Sequence, residues 1–319
     1  MPGRECHAPL SGVPAVRQGG NVSASVHQRL LDLARNDNRP FNELLQYFAM
    51  ERFLYRLSCS AHRNRYILKG SLMLRVWHSP ETRSTMDIDL LGRTENQETD
   101  IVRQFQDIIG VRVEPDGLAF DSDSIGTERI SEEAEYNGFR IHFLGLLGSA
   151  RINMQIDIGF GDVVHPKLEE ANLPSMLGYP EARLLCYSRE SVIAEKFHTI
   201  AKFGILNSRM KDFYDVWLLC RQFDFDGATL LNAVRLTFEQ RRTPLPVGDT
   251  LLSEEFITKK QHQWAAFRKR SLLNHAPESF RDIAAKVEDF LAPLVAEPTL
   301  EGLVEMVWKH PGPWQGQSG

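Results

Sequence analysis

The chain has 319 residues, of which 42% are hydrophobic and 25% charged, a composition typical of a globular protein. This length exceeds what a single hydrophobic core usually supports, so it predicts two domains, or one domain with an appended lobe. The net charge of −5 argues against binding nucleic acid through overall charge, but leaves a local basic face open. The sequence offers neither the ~18 apolar residues of a membrane span nor the apolar core of a signal peptide. Four widely spaced cysteines without a CxxC motif fit reduced thiols, so we expect a cytoplasmic protein.

The predicted elements divide the chain into an α/β half and a helical half. In the first half, helices are predicted over 23–36, 41–58, 72–77 and 100–110, and strands over 65–69, 85–91, 138–147 and 151–160. The last strand alternates apolar and polar side chains, so one of its faces should be buried. In the second half, helices are predicted over 189–206, 211–222, 227–240, 254–271 and 279–296.

This pattern predicts an α+β fold, in which a mixed sheet flanked by helices is followed by a C-terminal helical lobe. We divide the chain into a flexible leader over 1–22, an α/β domain over 23–165, a helical domain over 166–300 and a flexible tail over 301–319. The leader is rich in Gly and Pro, and the tail is rich in turn-forming residues.

The most informative segment is the strand predicted over 85–91, which carries Asp87 and Asp89. The two-residue period of a strand puts both carboxylates on one face. Neighbouring anions raise each other's pKa unless a cation lies between them, and oxygen ligands favour Mg²⁺ or Mn²⁺ over zinc. For so short a motif taken alone, two unrelated aspartates on a solvated strand edge are the commoner case.

Two further features strengthen the metal interpretation. Gly70-Ser71 lies between a strand and a helix, where glycine lets backbone N–H groups approach a phosphate, although a plain tight turn has the same pattern. Asp157 lies on the polar face of the strand over 151–160, although a simple surface carboxylate would lie there too. If the two strands are neighbours, Asp87, Asp89 and Asp157 converge, and three carboxylates suit a two-metal site for phosphoryl or nucleotidyl transfer.

The helical half adds further charged candidates. Lys196 could hold a triphosphate as a point charge, but by itself a surface lysine with a buried stem is the commoner case. Asp212 and Asp215 share one helix face at i, i+3, and Asp212 also suits a first helical turn, where the dipole favours an anion. Residues 189–270 hold fourteen Lys and Arg against ten Asp and Glu, so this half carries the basic excess.

Five segments in this order carry a family resemblance. They are Leu68-Lys69-Gly70-Ser71, RSTMDIDL from Arg83, IDIGFGD from Ile156, Ala194-Glu195-Lys196-Phe197, and RMKDFYD from Arg209. Together they resemble the AbiEii/AbiGii nucleotidyltransferase-like toxin family, part of the polymerase-β-type nucleotidyltransferase superfamily, over about residues 25 to 290. The gap of about fifteen residues between Ser71 and Asp87 is longer than that of the family motif, and we assign the excess to the loop around Pro80.

The resemblance implies a metal-dependent toxin of a toxin–antitoxin system that transfers NMP from an NTP to an acceptor, in some members the 3′ end of tRNA. It implies these roles: nucleotide contacts for Gly70, Ser71, Arg83 and Lys196, metal ligation for Asp87, Asp89 and Asp157, and catalysis for Asp87, Asp89, Lys196 and Asp212. The ion would be Mg²⁺ or Mn²⁺, the α/β domain would be nucleotidyltransferase-like, and a cognate antitoxin would be a partner.

An RNA acceptor would need a basic surface. The candidate contacts are Arg209, Lys211, Arg241, Arg242, Lys259 and Lys260. Ordinary solvated helix faces would give the same pattern, and we interpret Trp264 and Phe267 as core residues rather than stacking groups.

Three alternative functions stay open. The acceptor could be a protein or small-molecule hydroxyl, the fold could be a catalytically inactive partner-binding module, or the site could be a metal-dependent phosphohydrolase. His142, His165 and His198 lack short metal-ligand spacing, which argues against a histidine-based hydrolase centre.

Overall fold

The computed structural model describes residues 19–81, 83–132, 136–246, 251–295 and 300–316. They form two compact units, each described by itself below. The sheet unit comprises the described residues of 1–76, 85–161 and 170–185, and the helical unit those of 77–84, 162–169 and 186–319. Each helix among the described residues is too short or too polar to cross a lipid bilayer.

The sheet unit contains four helices and seven strands. The helices are α1 (Gly19–Asn36), α2 (Phe41–Cys59), α3 (Met73–Val76) and α4 (Glu98–Ile109). The strands are β1 (Tyr66–Lys69), β2 (Ile88–Gly92), β3 (Leu118–Glu132), β4 (Tyr136–Leu147), β5 (Ala150–Phe160), β6 (Glu169–Leu173) and β7 (Ala182–Cys186). The predicted strand over 85–91 thus begins at Ile88, and the α+β class predicted from the sequence is confirmed.

The seven strands form one mixed sheet in the order β3-β4-β5-β2-β1-β7-β6. β2 and β5 are parallel, whereas β1 with β2 and β3 to β5 pair antiparallel. The alternation predicted for β5 is observed, because Ile152, Met154, Ile156 and Ile158 are all buried. α2 packs on β5 and α4 on β3, so these helices cover the apolar face and leave the polar side chains of β5 on the other face.

β6 and β7 are strands in a segment that the sequence assigns to the helical domain. Residues 170–185 belong to the sheet unit, whereas 77–84 and 162–169 belong to the helical unit, so the chain does not divide at a single point near 165. Each of the two strands has only five residues, and β6 exposes most of its side chains. So short a run gives too few apolar positions for the two-residue period to be recognised.

The helical unit is built from α5 (Arg189–Phe203), α6 (Met210–Gln222), α7 (Gly227–Gln240), α8 (Glu254–Arg270), α9 (Phe280–Leu291) and α10 (Leu300–Leu303). α5 packs against α6 and α7, and α9 packs against α6 and α8. Side chains of Ser188, Asp226 and Ser253 accept a backbone N–H in the first turns of α5, α7 and α8, which fixes where these helices begin.

Both chain ends differ from the expected leader and tail. α1 begins at Gly19, inside the expected leader, whose other residues 1–18 lie outside the described part. In the expected tail, β9 (Met306–Trp308) and β10 (Trp314–Gly316) form a small antiparallel sheet with β8 (Phe225–Asp226). Trp308 is fully buried there, and its Nε1 donates to the carbonyl of Cys220. Residues 317–319 lie outside the described part.

Candidate functional site

Three carboxylates come together on the polar face of the sheet unit. Asp87 directly precedes β2, Asp89 lies within it, and Asp157 lies in the parallel strand β5. One ligand oxygen of each lies within 4.8 Å of the other two. In the part of the chain that the structure describes, this is the one group of three or more His, Cys, Asp or Glu side chains with such spacing.

Asp89 and Asp157 are part of a row of charged residues across five neighbouring strands, which we call the charge row. The strand register pairs Lys69 with Asp89, Asp89 with Asp157, Asp157 with Arg140, and Arg140 with Glu128. Directly opposed residues have Cβ atoms ~4.5–5.5 Å apart. Two like charges therefore lie side by side at the centre of the row, and a cationic residue follows on each side.

Arg140 holds Asp157 in a bidentate ion pair. Its Nε lies 2.8 Å from Oδ1 and its Nη2 lies 2.7 Å from Oδ2. These hydrogen bonds raise the pKa of Arg140 above its ordinary value, against the opposing effect of burial. Gln155 Nε2 also approaches the two Asp157 oxygens, at 3.3 and 3.5 Å.

Helix α2 positions Asp87 through a hydrogen-bonded relay. The hydroxyl of Tyr47 in α2 accepts the backbone N–H of Thr85 at 3.1 Å. The Thr85 hydroxyl in turn donates to Asp87 Oδ1 at 2.5 Å. The pKa of Tyr47 is raised because the ring is buried, so the phenol stays protonated.

The turn at Gly70 lies directly against Asp89. Gly70 has φ +71°, and a Cβ placed on it would lie 1.9 Å from Asp89 Oδ2. Ser71, the next residue, is buried. The helix predicted over 72–77 is a 3₁₀ turn followed by the single turn of α3, so its dipole is small and a phosphate here would depend mainly on the turn's backbone N–H groups.

The donor set fits a hard divalent cation. The group offers carboxylate oxygens alone, which are the ligands that Mg²⁺ and Mn²⁺ prefer. A cation between Asp89 and Asp157 would also relieve the repulsion between register partners of like charge. The residues that could hold a metal are therefore Asp87, Asp89 and Asp157.

A second set of buried charges lies in the helical unit. Lys196 Nζ in α5 is 3.1 Å from Asp212 Oδ1 and 2.7 Å from Asp215 Oδ2, both in α6. Arg83 donates through Nε and Nη2 to the two oxygens of Asp215, at 2.9 and 3.0 Å. We call these four residues the buried charge cluster. Lys196, only 14% exposed, is thus not the surface lysine that the sequence alone favours.

The buried charge cluster balances two cations with two carboxylates. Burial by itself would raise the pKa of Asp215, but the charges of Arg83 and Lys196 lower it to about 2. Burial likewise opposes protonation of Lys196, yet Asp215 and Asp212 raise its pKa above the ordinary value. Lys196 and Asp215 are therefore charged at neutral pH, and each needs its partners.

A neighbouring polar network in the helical unit involves Arg241. Its Nη2 lies 2.9 Å from Asp162 Oδ1 and 3.6 Å from Glu195 Oε1. Its Nη1 lies 3.3 Å from Nδ1 of the buried His198. Burial, together with the charges of Arg241 and Lys202, lowers the pKa of His198 to about 4.

The six basic candidates for RNA contact have different environments. Lys211, Arg242 and Lys259 are exposed, and Lys259 forms an ion pair with Glu255. Arg209 is half-buried, whereas Lys260 is buried with its Nζ above the ring of Phe256. Arg241 belongs to the network with Asp162.

The two aromatic residues of α8 belong to the core, as interpreted from the sequence. Trp264 is fully buried, and Phe267 is 7% exposed. Trp264 Nε1 donates to the carbonyl of Pro277.

Sequence reasoning did not identify Arg140 or assign a role to Asp215. Arg140 was detectable, because the turn at Gly148-Ser149 fixes the register of β4 and β5. Counting seven residues back from Leu147 and seven forward from Ala150 places Arg140 opposite Asp157. For Asp215 the signal was its shared helix face with Asp212, since both carboxylates reach Lys196.

Two solved structures are similar to this chain at low sequence identity. A crystal structure of a proposed nucleotidyltransferase from H. pylori is 13% identical over 91% of this chain and 99% of that chain, with a TM-score of 0.44. JHP933 from Helicobacter pylori is 12% identical over 91% of this chain and 96% of that chain, with a TM-score of 0.41. No curated protein sequence matches the chain.

One sequence family matches most of the chain. It is described as the nucleotidyl transferase AbiEii toxin of a type IV toxin–antitoxin system, and it matches residues 52–286. This range includes the three converging carboxylates, the Gly70 turn and the buried charge cluster. The chain belongs to the AbiEii family of nucleotidyl transferase toxins.

Proposed function

We propose that this protein transfers NMP from an NTP to an RNA hydroxyl, with the 3′ end of tRNA as acceptor, and thereby blocks translation in the cytoplasm. The observation that carries the proposal is the convergence of Asp87, Asp89 and Asp157 within 4.8 Å of one another. Membership of a nucleotidyl transferase toxin family supports the reaction type, and the type IV toxin–antitoxin description supports a cognate antitoxin as partner.

The three carboxylates would hold Mg²⁺ or Mn²⁺. A bound ion would polarise the phosphate that is attacked and neutralise charge that develops in the transition state. Tyr47 and Thr85 fix the carboxylate of Asp87, and the glycine at position 70 leaves room for that of Asp89. The backbone of Gly70-Ser71 would contact the triphosphate. The acceptor hydroxyl releases its proton to solvent, its oxygen forms a bond to the α-phosphorus, the bond from that phosphorus to the β-phosphate oxygen breaks, and pyrophosphate leaves.

The roles of Lys196, Arg83 and Asp212 in nucleotide binding and catalysis remain predictions from the family resemblance. Their mutual ion pairs give each of them a structural role as well. Lys196→Met and Asp212→Asn variants that stay folded but lose NTP-dependent stabilisation would support nucleotide contact. Variants that bind NTP normally would leave only the structural role.

The RNA acceptor is supported by exposed cations of the helical unit, namely Lys211, Arg242 and Lys259. Contacts of this kind neutralise phosphates and release counterions, so tRNA affinity should fall steeply with salt. Charge reversal at Lys211 or Arg242 should weaken tRNA binding and reduce the salt slope by about one per lost contact. Binding that is insensitive to salt would contradict this surface.

The experiment that tests the reaction incubates the protein with each α-labelled NTP, Mg²⁺ and purified tRNA. We expect label on the tRNA, none on tRNA with an oxidised 3′ terminus, and none in EDTA. Asp89→Asn should abolish transfer, whereas Asp123→Asn, an equal change of charge at an exposed residue of β3, should not.

The alternatives give different products in the same assay. Label on protein or on a small molecule, with none on RNA, identifies a different acceptor. Release of inorganic phosphate without an adduct identifies a phosphohydrolase. Absence of label, together with absence of Mg²⁺-dependent stabilisation by NTP, contradicts the proposal and favours an inactive binding module.

A further inference from the structure

Asp157 is held by a bidentate arginine. Arg140 donates to both Asp157 oxygens at 2.8 and 2.7 Å, and Gln155 approaches both as well. A carboxylate has about four lone-pair sites on its two oxygens. The guanidinium and the amide therefore take most of the acceptor capacity that a metal ion would use.

Electrostatics makes the two cations competitors. A divalent ion bound to Asp157 would lie within a few ångströms of the guanidinium, and like charges at that distance repel strongly at the half-buried face of a sheet. Without a metal, the guanidinium of Arg140 offsets the negative charge that Asp89 and Asp157 place side by side in the charge row. Either cation can therefore satisfy Asp157, but each weakens the binding of the other.

The charge row also offers Arg140 a second anion. Glu128 of β3 is the register partner of Arg140 on the side away from Asp157, and it is exposed. The Arg140 side chain is 33% exposed, against 17% for Asp157, so its guanidinium can turn away from Asp157 towards solvent. Register partners of opposite charge on neighbouring strands attract each other.

We propose that Arg140 is a positioning residue that competes with the metal ion for Asp157, and that Glu128 receives its guanidinium when the ion binds. This inference rests on the proposed function, because it takes the three carboxylates as the metal site. Arg140 thus keeps Asp157 beside Asp89 in the metal-free protein and sets how tightly the site binds its ion.

The test measures Mn²⁺ binding, by the loss of the free Mn²⁺ signal in electron paramagnetic resonance, with EDTA-stripped protein. Replacing Arg140 with glutamine should tighten Mn²⁺ binding by roughly tenfold, because it removes the positive charge that repels the ion and competes for Asp157. Glu128→Gln should weaken it, because the guanidinium loses its alternative partner. These opposite directions would not follow if Arg140 only stabilised the pairing of β4 with β5 through Asp157.

Arg129→Gln is the matched control. This variant removes the same positive charge at the residue next to Glu128 in β3. The guanidinium of Arg129 lies over the ring of Phe139. Mn²⁺ affinity should stay within twofold of the original protein. A second control places Arg140→Gln in an Asp157→Asn background, where the tightening should disappear because Arg140 acts through Asp157.

Each outcome decides the inference. Unchanged or weaker binding in Arg140→Gln overturns it, as does equal tightening in Arg129→Gln, which would indicate a general effect of charge. If neither the original protein nor Arg140→Gln binds Mn²⁺, the metal site of the proposed function fails and the inference fails with it. If Arg140→Gln does not fold, Arg140→Lys should give a smaller tightening, because a lysine keeps the charge but loses the bidentate geometry.

Discussion

Gly70 and Asp89 approach so closely that a Cβ at residue 70 would lie 1.9 Å from the Oδ2 atom of Asp89. Gly70 also has φ +71°, a backbone conformation that other residues rarely adopt. The bend after β1 and the position of the carboxylate in β2 therefore require glycine for two separate reasons. Any side chain at residue 70 must either move Asp89 or change the bend.

Gly70→Ala should consequently damage both stability and metal binding. We expect a loss of about 1–3 kcal/mol in the free energy of unfolding from the strained backbone and the contact with Asp89. Mn²⁺ binding and nucleotidyl transfer should fall at least tenfold, because the carboxylate must leave its position. Denaturant titration and Mn²⁺ binding measure the two effects.

Gly178→Ala separates backbone strain from displacement of Asp89. Gly178 has φ +73°, but a Cβ there meets nothing within 4 Å. This variant should lose about 1 kcal/mol of stability and keep its Mn²⁺ affinity. If Gly70→Ala also keeps its Mn²⁺ affinity, Asp89 is not a metal ligand.

Much of the candidate metal site could be predicted because its signals are local in sequence. The spacing of Asp87 and Asp89 and the alternation of β5 follow from the two-residue period of a strand. The pairing of Arg140 with Asp157 follows from the turn at Gly148-Ser149.

What the sequence could not give is pairing between distant segments. The parallel register that brings Asp89 to Asp157 joins residues more than sixty positions apart in the chain, and no turn fixes it. The partners of Lys196 are equally hidden, because helical spacing shows which residues share a face but not which helix faces it. The glycines and prolines around Trp308 and Trp314 favour turns, so the sequence did not predict the strands that contain these two residues.

Asp215 should be critical for stability, because it neutralises Arg83 and Lys196 inside the helical unit. Asp215→Asn leaves two buried cations with one carboxylate, and breaking such a buried pair costs about 3–5 kcal/mol. Its pKa of about 2 lies below the value of about 3.8 for an ordinary aspartate. The stability that Asp215 contributes is therefore present above pH 3.8 and is lost as the pH falls towards 2.

Urea titration at pH 7 measures the free energy of unfolding that Asp215→Asn loses. Asp123→Asn is the control, because it changes the charge equally at an exposed residue. A loss below 1 kcal/mol in Asp215→Asn, within the range of a surface pair, would contradict a buried and mutually dependent cluster.

His198 should make stability fall in mildly acidic solution. Its pKa is about 4 in the folded protein, because of burial and the charges of Arg241 and Lys202, against about 6.5 when unfolded. Protons then bind the unfolded chain more strongly, so stability is full above pH 6.5 and declines as the pH falls towards 4. His198→Gln should flatten this decline in the thermal midpoint between pH 7 and 5. His262→Gln, at an exposed position of α8, should follow the original protein, and parallel curves for all three proteins would refute the effect of His198.

Trp308 should anchor the small sheet of β8, β9 and β10. Its ring is fully buried against Phe290 and Trp314, with centroids 4.9 and 5.6 Å away, and its indole N–H is hydrogen-bonded. Trp308→Ala should lower the free energy of unfolding by about 3–5 kcal/mol through the cavity and the unpaired carbonyl of Cys220. Val304→Ala, at a position that is 46% exposed, should change it by less than about 1 kcal/mol. Equal small losses in the two variants would mean that the segment after α10 is a dispensable tail, whereas a large loss in Trp308→Ala alone makes it part of the folded helical unit.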